Sequence, residues 1–92
     1  MTRLDEDQIA ARLGALSGWE RNGEAIGKAF KHDDFVGSIE FVKAIVGPAE
    51  EMGHHPDLAI SWDTVEVTIS THSEGGLTAA DFELAEIIDG LR

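Results

Sequence analysis

Several features that would assign this chain to a class are missing from it. Its 92 residues include no cysteine, which excludes a disulfide framework and a zinc site built on thiolates. No apolar run approaches the roughly 20 residues that a bilayer-spanning helix needs. The N-terminus, Met1 to Asp7, is acidic and lacks the apolar stretch of a signal peptide. We therefore expect a soluble, cytoplasmic protein with no membrane partner.

Positive charge is also scarce. Seven Lys and Arg stand against eighteen Asp and Glu, which gives a formal net charge of −11, and only three residues are lysine. Nucleic acid and anionic lipid both reward positive charge, so neither is expected as a partner. A lysine-poor, acidic surface suits a high-salt cytoplasm, but acidic mesophilic proteins are common, and both interpretations stay open.

The first half of the chain contains signals for two helices and a hairpin. Asp5-Glu6-Asp7-Gln8 has capping-box spacing and predicts a helix over about residues 5–16. Asn22-Gly23 is a two-residue hairpin signal between apolar stretches. Asp33 or Asp34 can cap a second helix that Gly53 ends, with Pro48 as an interruption. We expect that helix to bury an apolar stripe made of Phe35, Ile39, Val42, Val46 and Ala49.

The second half predicts another hairpin and a last helix. Residues 58–62 suit a third strand, and Asp63-Thr64 would turn it into a fourth, in which apolar and polar residues alternate from Val65 to His72. Thr78 can cap a helix that Gly90 would stop. The order α-β-β-α-β-β-α predicts an α+β, two-layer fold, with three helices on one face of a four-stranded antiparallel sheet. A chain this short is expected to form one domain, residues 1–92.

Histidine is concentrated in one part of the chain. Three of the four histidines, His54, His55 and His72, fall within 19 residues. Imidazole has the unperturbed pKa closest to neutrality, so one ring can donate a proton while another accepts one. If the third and fourth strands pair, His55 and His72 meet at the same edge of the sheet, near Asp81 at the start of the last helix. A cleft with three imidazoles and one carboxylate would suit general acid–base catalysis.

Less specific interpretations of these residues stand beside that one. An adjacent His-His pair in a surface loop is often only solvated. His and Asp here could bind zinc, but no His-x3-His helical pair or cysteine supports a metal site, and none is predicted. His32 lies in a charged corner and is expected to be structural or solvated, and Trp62 to belong to the core or an interface.

The spacing of polar residues between positions 50 and 81 is distinctive. An acid is followed after three residues by His-His-Pro, then a spacer, an aromatic residue, nine residues, a histidine, and an aspartate after a loop. This pattern resembles the signature of the pterin-4a-carbinolamine dehydratase family. The residues that fill it are Glu50, His54, His55, Pro56, Trp62, His72 and Asp81. Ser70-Thr71 before His72 and the Gly18-Trp19 opening are similar as well, so the resemblance covers nearly the whole chain. Gly53 departs from members that carry an acid there.

The resemblance implies a lyase that eliminates water from 4a-hydroxytetrahydrobiopterin to give quinonoid dihydrobiopterin, in support of tetrahydrobiopterin recycling. It implies neither a metal nor a cofactor. By this analogy His54 is the general acid and His72 is the general base, although these two roles could be exchanged. His55 holds the pterin, and Asp81 orients an imidazole. The implied substrate-binding residues are Glu50, Gly53, His54, His55, Pro56, Ser70, Thr71, His72 and Ser73.

The family resemblance also suggests two other functions and an oligomeric state. Animal members of the family also bind a homeodomain transcription factor through helix surface, so a non-enzymatic interaction module is one alternative. A dehydratase that acts on another pterin is the other. Unprotected sheet edges and the family resemblance both point to a homodimer or homotetramer.

Overall fold

A computed structural model describes residues 2–91 of the chain. Its elements are α1 (Glu6–Gly14), β1 (Glu20–Asn22), β2 (Ala25–Lys31), α2 (Phe35–Met52), β3 (Asp57–Ser61), β4 (Thr64–Ser70), one 3-10 turn (His72–Glu74) and α3 (Ala79–Leu91). The order and the α+β class are those predicted from the sequence. Within the described residues, no helix has the length and apolar character that crossing a membrane requires.

The four strands form one antiparallel sheet in the order β1-β2-β4-β3. Both hairpin turns lie one residue away from their predicted positions. In the first, Asn22 pairs with Ala25, so the loop is Gly23-Glu24. Gly23 has φ 64° there, which a glycine adopts without strain. In the second, Thr64 already pairs with Ser61, which moves the turn back to residues 62–63.

The core lies between one face of the sheet and the helices. Ile26 and Ile69 are direct cross-strand partners, as are Phe30 and Val65, and all four are buried. Glu66 and Thr68 are exposed between the buried Val65, Val67 and Ile69, which confirms the predicted alternation along β4. Buried side chains from α1, α2 and α3 join the same cluster: Ile9, Phe41, Ile45, Ala49, Phe82, Leu84, Ala85 and Ile88. All three helices therefore cover the same face of the sheet.

The apolar stripe predicted for α2 is confirmed only in part, since Ala49 is buried and Val42 packs against the core but its other members do not define the buried side. The side chains that α2 buries are Ser38, Phe41, Ile45 and Ala49, whereas Phe35 is 52% exposed and Val46 is 56% exposed. The Ser38 hydroxyl donates to the backbone oxygen of Trp62 at 2.8 Å, so a polar residue turns this side of the helix toward the β3–β4 turn. Within the predicted stripe, Phe35 and Val46 consequently form an apolar face that the described residues leave largely uncovered.

Most of the predicted helix ends are confirmed. Asp5 and Gln8 form a reciprocal capping box at the start of α1, and Asp34 caps α2 by accepting from the Gly37 backbone N–H. Gly53 ends α2 with φ 63° in the left-handed region. The stop predicted at Gly90 is wrong, because α3 continues to Leu91. A glycine at this point lowers helix propensity but removes no backbone hydrogen-bonding group.

Two ion pairs hold the N-terminal elements in place. Arg21 of β1 binds Glu6 of α1 through two contacts, at 2.6 and 3.0 Å, and the hydrogen bond and charge of this guanidinium lower the pKa of the Glu6 carboxyl. Near the end of α3, Asp89 accepts from Lys28 Nζ at 2.9 Å and from Trp19 Nε1 at 3.0 Å. Because Asp89 lies about two turns beyond Asp81, it anchors the opposite end of α3.

Candidate active site

A single buried carboxylate connects three segments of the chain. Asp81, in the first turn of α3, has no exposed side-chain surface. Its Oδ1 lies 2.6 Å from Nε2 of His54, and its Oδ2 accepts from the Thr71 hydroxyl at 2.9 Å and from the Thr78 backbone N–H at 2.8 Å. The end of α2, the end of β4 and the start of α3 therefore meet at one side chain.

This contact selects the tautomer of a neutral His54 ring. An ionised carboxylate only accepts hydrogen bonds, so beside ionised Asp81 the proton of a neutral His54 lies on Nε2. The other nitrogen, Nδ1, is then the atom with a free lone pair. The His54 side chain is only 14% exposed, so this hydrogen bond lies in largely dry surroundings. Such a ring can accept or return a proton at one defined atom.

The sequence around His54 explains its position. Gly53 reverses the chain in the left-handed conformation, and the backbone N–H of His54 donates to the oxygen of Ala49 at 3.0 Å. That bond is typical of a glycine-terminated helix. Pro56 then keeps the chain extended before β3 begins at Asp57. The imidazole is thus carried on a short, well-connected loop rather than on a flexible one.

His72 lies on the other side of the Thr71 contact. Strand β4 ends at Ser70, so His72 opens a 3-10 turn and is exposed, rather than closing the strand as predicted. Its Nε2 lies 3.2 Å from the Ser70 hydroxyl. His72 is also part of a cleft of about 380 Å³, whose lining residues are Glu24, Ala25, Ser70, Thr71, His72, Gly75 and Gly76. Thr71 links this cleft to Asp81 and so to His54.

His55 points to a different part of the surface. Its Nε2 lies 2.5 Å from Oε2 of Glu50, and both side chains are exposed. These two residues and Pro56 line a smaller cleft of about 180 Å³, beside apolar side chains of α2 that include Val42 and Val46. The one cleft expected to collect three imidazoles is therefore divided in two, with His72 in the larger cleft and His55 in the smaller.

The remaining residues singled out from the sequence have varied surroundings. Gly53 is the exposed end of α2, and Ser73 is exposed in the 3-10 turn. Trp62 is 69% exposed in the β3–β4 turn, with φ 52°, so of its two predicted places the core is wrong and an interface stays a prediction. His32 is structural, as expected: its ring centre lies 4.8 Å from that of Phe41 and its backbone N–H donates to Asp63.

Thr78 and Glu24, which the sequence did not assign to the site, lie beside its residues. Thr78 was predicted only as a helix cap, yet its backbone N–H binds Asp81 and its hydroxyl lies 3.1 Å from that of Thr71. Glu24 lines the cleft of His72, and no motif indicated it. Between residues 2 and 91, no three His, Asp or Glu side chains are arranged to hold a metal ion.

Comparison with known proteins identifies the family. The model of the pterin 4 alpha carbinolamine dehydratase family matches residues 2–91. A cyanobacterial relative from Thermosynechococcus vestitus, provisionally named as such a dehydratase, is 47% identical over 89 residues, covering 97% of this chain and 94% of its own. The chain belongs to this family.

Solved structures agree with the membership. A pterin dehydratase from Brucella melitensis, also described as a transcriptional coactivator, superposes with a TM-score of 0.94 at 35% identity and covers 98% of both chains. A pterin dehydratase-like protein identified as a RuBisCO assembly factor in the alpha-carboxysome reaches a TM-score of 0.66 at 22% identity, over 79% of this chain and 84% of that one. The second likeness shows only a shared fold, and one fold can host unrelated functions.

Proposed function

We propose that this pterin dehydratase family member eliminates water from 4a-hydroxytetrahydrobiopterin, gives quinonoid dihydrobiopterin, and so supports tetrahydrobiopterin recycling in the cytoplasm. The observation that carries the proposal is the hydrogen bond between buried Asp81 and His54, joined through Thr71 to the segment of His72. The whole chain, residues 1–92, forms the dehydratase domain. Neither a metal nor a cofactor takes part.

The reaction needs two proton transfers and no redox step. The bond between C4a and the hydroxyl oxygen breaks as that oxygen takes up a proton and leaves as water. The N5–H bond gives up its proton, and its electron pair becomes the second bond between N5 and C4a. One acid and one base are sufficient, and each positioned group contributes roughly 10²- to 10⁴-fold.

His54 and His72 are the residues that we assign to these transfers. His54, fixed through Nε2, exchanges its proton at Nδ1, and the carboxylate of Asp81 stabilises the imidazolium form that acts as the acid. His72 faces the larger cleft and acts as the base toward N5. In the reverse assignment the two labels exchange while both residues remain necessary. Asp81 is a positioning residue, because it acts through His54.

A second group of residues binds the substrate rather than reacting with it. The smaller cleft is lined by His55, Glu50 and Pro56, and we assign to them the part of the substrate that extends beyond the larger cleft of His72. Ser70 and Ser73 belong to the segment that carries His72, and Gly53 shapes the turn into His54. We assign the hydroxyl of Thr71 mainly to Asp81, since it already donates there.

The direct test is dehydration of a 4a-hydroxytetrahydropterin by purified protein, with and without a chelator. We expect the same acceleration in both samples. Loss of activity on chelation would contradict the metal-free mechanism. Comparison of biopterin with other 6-substituted substrates would show whether a different pterin is preferred.

A non-enzymatic interaction module is the second candidate, and the exposed apolar face of α2 is the observation that favours it. Phe35 and Val46 are more than half exposed, an arrangement typical of surfaces that bind another protein. The same face, or pairing along the sheet edges β1 and β3, would produce the homodimer or homotetramer that we propose. A folded wild-type protein without dehydratase activity would favour the module over the enzyme.

A further inference from the structure

We propose that Glu24 is a specificity-determining residue of this site, and that its carboxylate binds the 2-amino group and N3–H of the pterin ring. The inference rests on the proposed function, because it assumes that a pterin occupies the larger cleft. Glu24 is not part of the family signature between positions 50 and 81. Its position in the fold is what indicates it.

The β1–β2 hairpin brings Glu24 to the residues of the candidate site. Glu24 is the second residue of the two-residue loop, and the next residue, Ala25, is the cross-strand partner of Ser70 at the end of β4. The chain leaves β4 toward His72 at this same point. Glu24 and His72 therefore lie in the wall of one cleft of about 380 Å³.

The carboxylate end of Glu24, and not only its backbone, lies beside a residue that lines this cleft. A Cβ added to Gly76, another residue of the lining, would lie 3.0 Å from Oε2 of Glu24. It would also lie 2.4 Å from Cδ of Arg3, so a side chain at Gly76 would collide with its neighbours. Because position 76 is a glycine, the carboxylate lies close against the loop that forms part of the cleft.

Glu24 also has its hydrogen-bonding capacity available. Its nearest cationic partner among the described residues is Arg21, at 3.9 Å, beyond hydrogen-bond distance. The Arg21 guanidinium is already bound by Glu6 and by the backbone oxygen of Gly23. The hairpin is thus held by other contacts, which leaves both oxygens of Glu24 able to accept from a ligand.

The chemistry of a pterin matches this carboxylate. Its 2-amino-4-oxopyrimidine ring presents N2–H and N3–H side by side, two parallel donors like those of a guanidinium, which carboxylates bind in a bidentate manner. Among the described residues that line the cleft, Glu24 is the one carboxylate. Ser70 pairs with His72 and Thr71 with Asp81, so those hydroxyls are already engaged. Glu24 would hold the pyrimidine ring and leave the reacting C4a–N5 bond to the histidines.

The test compares pterin with lumazine, in which an oxo group replaces the 2-amino group. Binding of each to wild-type protein, Glu24→Gln, Glu24→Asp and Glu66→Gln is measured by fluorescence titration. A carboxylate repels the second oxo group, whereas a glutamine amide can donate to it. We expect wild type to prefer pterin, and Glu24→Gln to reduce the pterin-to-lumazine affinity ratio by roughly tenfold or more, the scale of a hydrogen bond to a charged group.

The other two variants separate recognition from structure. Glu24→Asp keeps the carboxylate and should retain part of the preference. Glu66 is exposed on the open face of the sheet, so Glu66→Gln removes the same charge and should leave the ratio unchanged. In turnover assays, Glu24→Gln should raise KM more than it lowers kcat, as loss of uniform binding does.

The outcomes distinguish this inference from the proposed function. An active wild-type enzyme whose pterin preference survives in Glu24→Gln would overturn the role of Glu24 and leave the dehydratase proposal intact. An active enzyme that binds pterin and lumazine equally would do the same. A wild-type protein with no dehydratase activity would instead refute the proposed function, and with it the basis for a pterin in this cleft.

Discussion

Replacement of Asp81 by asparagine tests the link between the fold and the proposed chemistry. Oδ2 of Asp81 accepts two hydrogen bonds, from Thr71 and Thr78, while Oδ1 faces His54 alone. An asparagine would keep its oxygen toward the two donors and turn its NH₂ toward His54. The amide would then donate to Nε2 of His54, which moves the ring proton to Nδ1.

The structure sets the expected size of the effect. In this variant a neutral His54 carries its proton on Nδ1 and cannot accept a second proton at that atom. A protonated His54 ring would lack the carboxylate that faces it in the wild type. We expect kcat to fall by roughly 10²-fold or more, the scale for a positioned acid or base. Stability should fall by only about 1–3 kcal/mol, because the two bonds at Oδ2 survive and one charge-assisted bond is lost.

The matched control is Asp89→Asn on the same helix. Asp89 binds Lys28 and Trp19 at the far end of α3, so its replacement should lower the melting temperature and leave kcat near that of wild type. Initial rates of dehydration and thermal unfolding would be measured for both variants. If Asp81→Asn unfolds no more readily than Asp89→Asn and still turns over at the wild-type rate, the assigned role of Asp81 is wrong.

Three further predictions concern the histidines, assembly and charge. His54→Ala and His72→Ala should each lower kcat by roughly 10²-fold. His55→Ala should mainly raise KM, and His32→Ala should change the kinetics little. If His32→Ala lowered kcat as much as His72→Ala, the site would be elsewhere. Light scattering should give a dimer or tetramer, which Val46→Lys would shift toward smaller species, and a wild-type monomer at micromolar concentration would contradict this. Because a net charge of −11 on a small surface is repulsive, the melting temperature should rise as the salt concentration approaches about 0.1 M, where the Debye length is about 10 Å. A melting temperature that stays flat or falls over this salt range would mean that the acids are compensated locally.

The fold was predictable because local signals in this sequence agree with one another. Asp5 and Gln8 form a capping box, Gly53 terminates a helix, and the alternation along β4 directs Val65 and Ile69 to the core. The sequence did not correctly predict which side of α2 is buried. Apolar residues occur on several sides of α2, so periodicity alone could not identify the side that packs against the core, on which Ser38 also donates to the β3–β4 turn.

The sequence predicts which residues form the candidate site, but it does not predict how they are connected. Spacing indicated His54, His55 and His72, yet it could not indicate that His55 pairs with Glu50 away from the larger cleft. Glu24 carries no sequence signal, because its position depends on which residue of the hairpin turns and on the register of β2 with β4. Such contacts are properties of the assembled sheet.

Asp81 contributes both to the fold and to the candidate site. By sequence it is an acid in the first turn of a helix, where the helix dipole stabilises its negative charge and the Thr78 N–H donates to it. By geometry the same carboxylate fixes the ring of His54. The division between its two oxygens means that the structural bonds lie on Oδ2 and the contact to the imidazole on Oδ1. Asp81→Asn, which preserves only the first, should therefore yield a protein that folds and fails in proton transfer. Asp81→Ala, which removes the acceptor of the buried Thr78 backbone N–H, should lose stability as well.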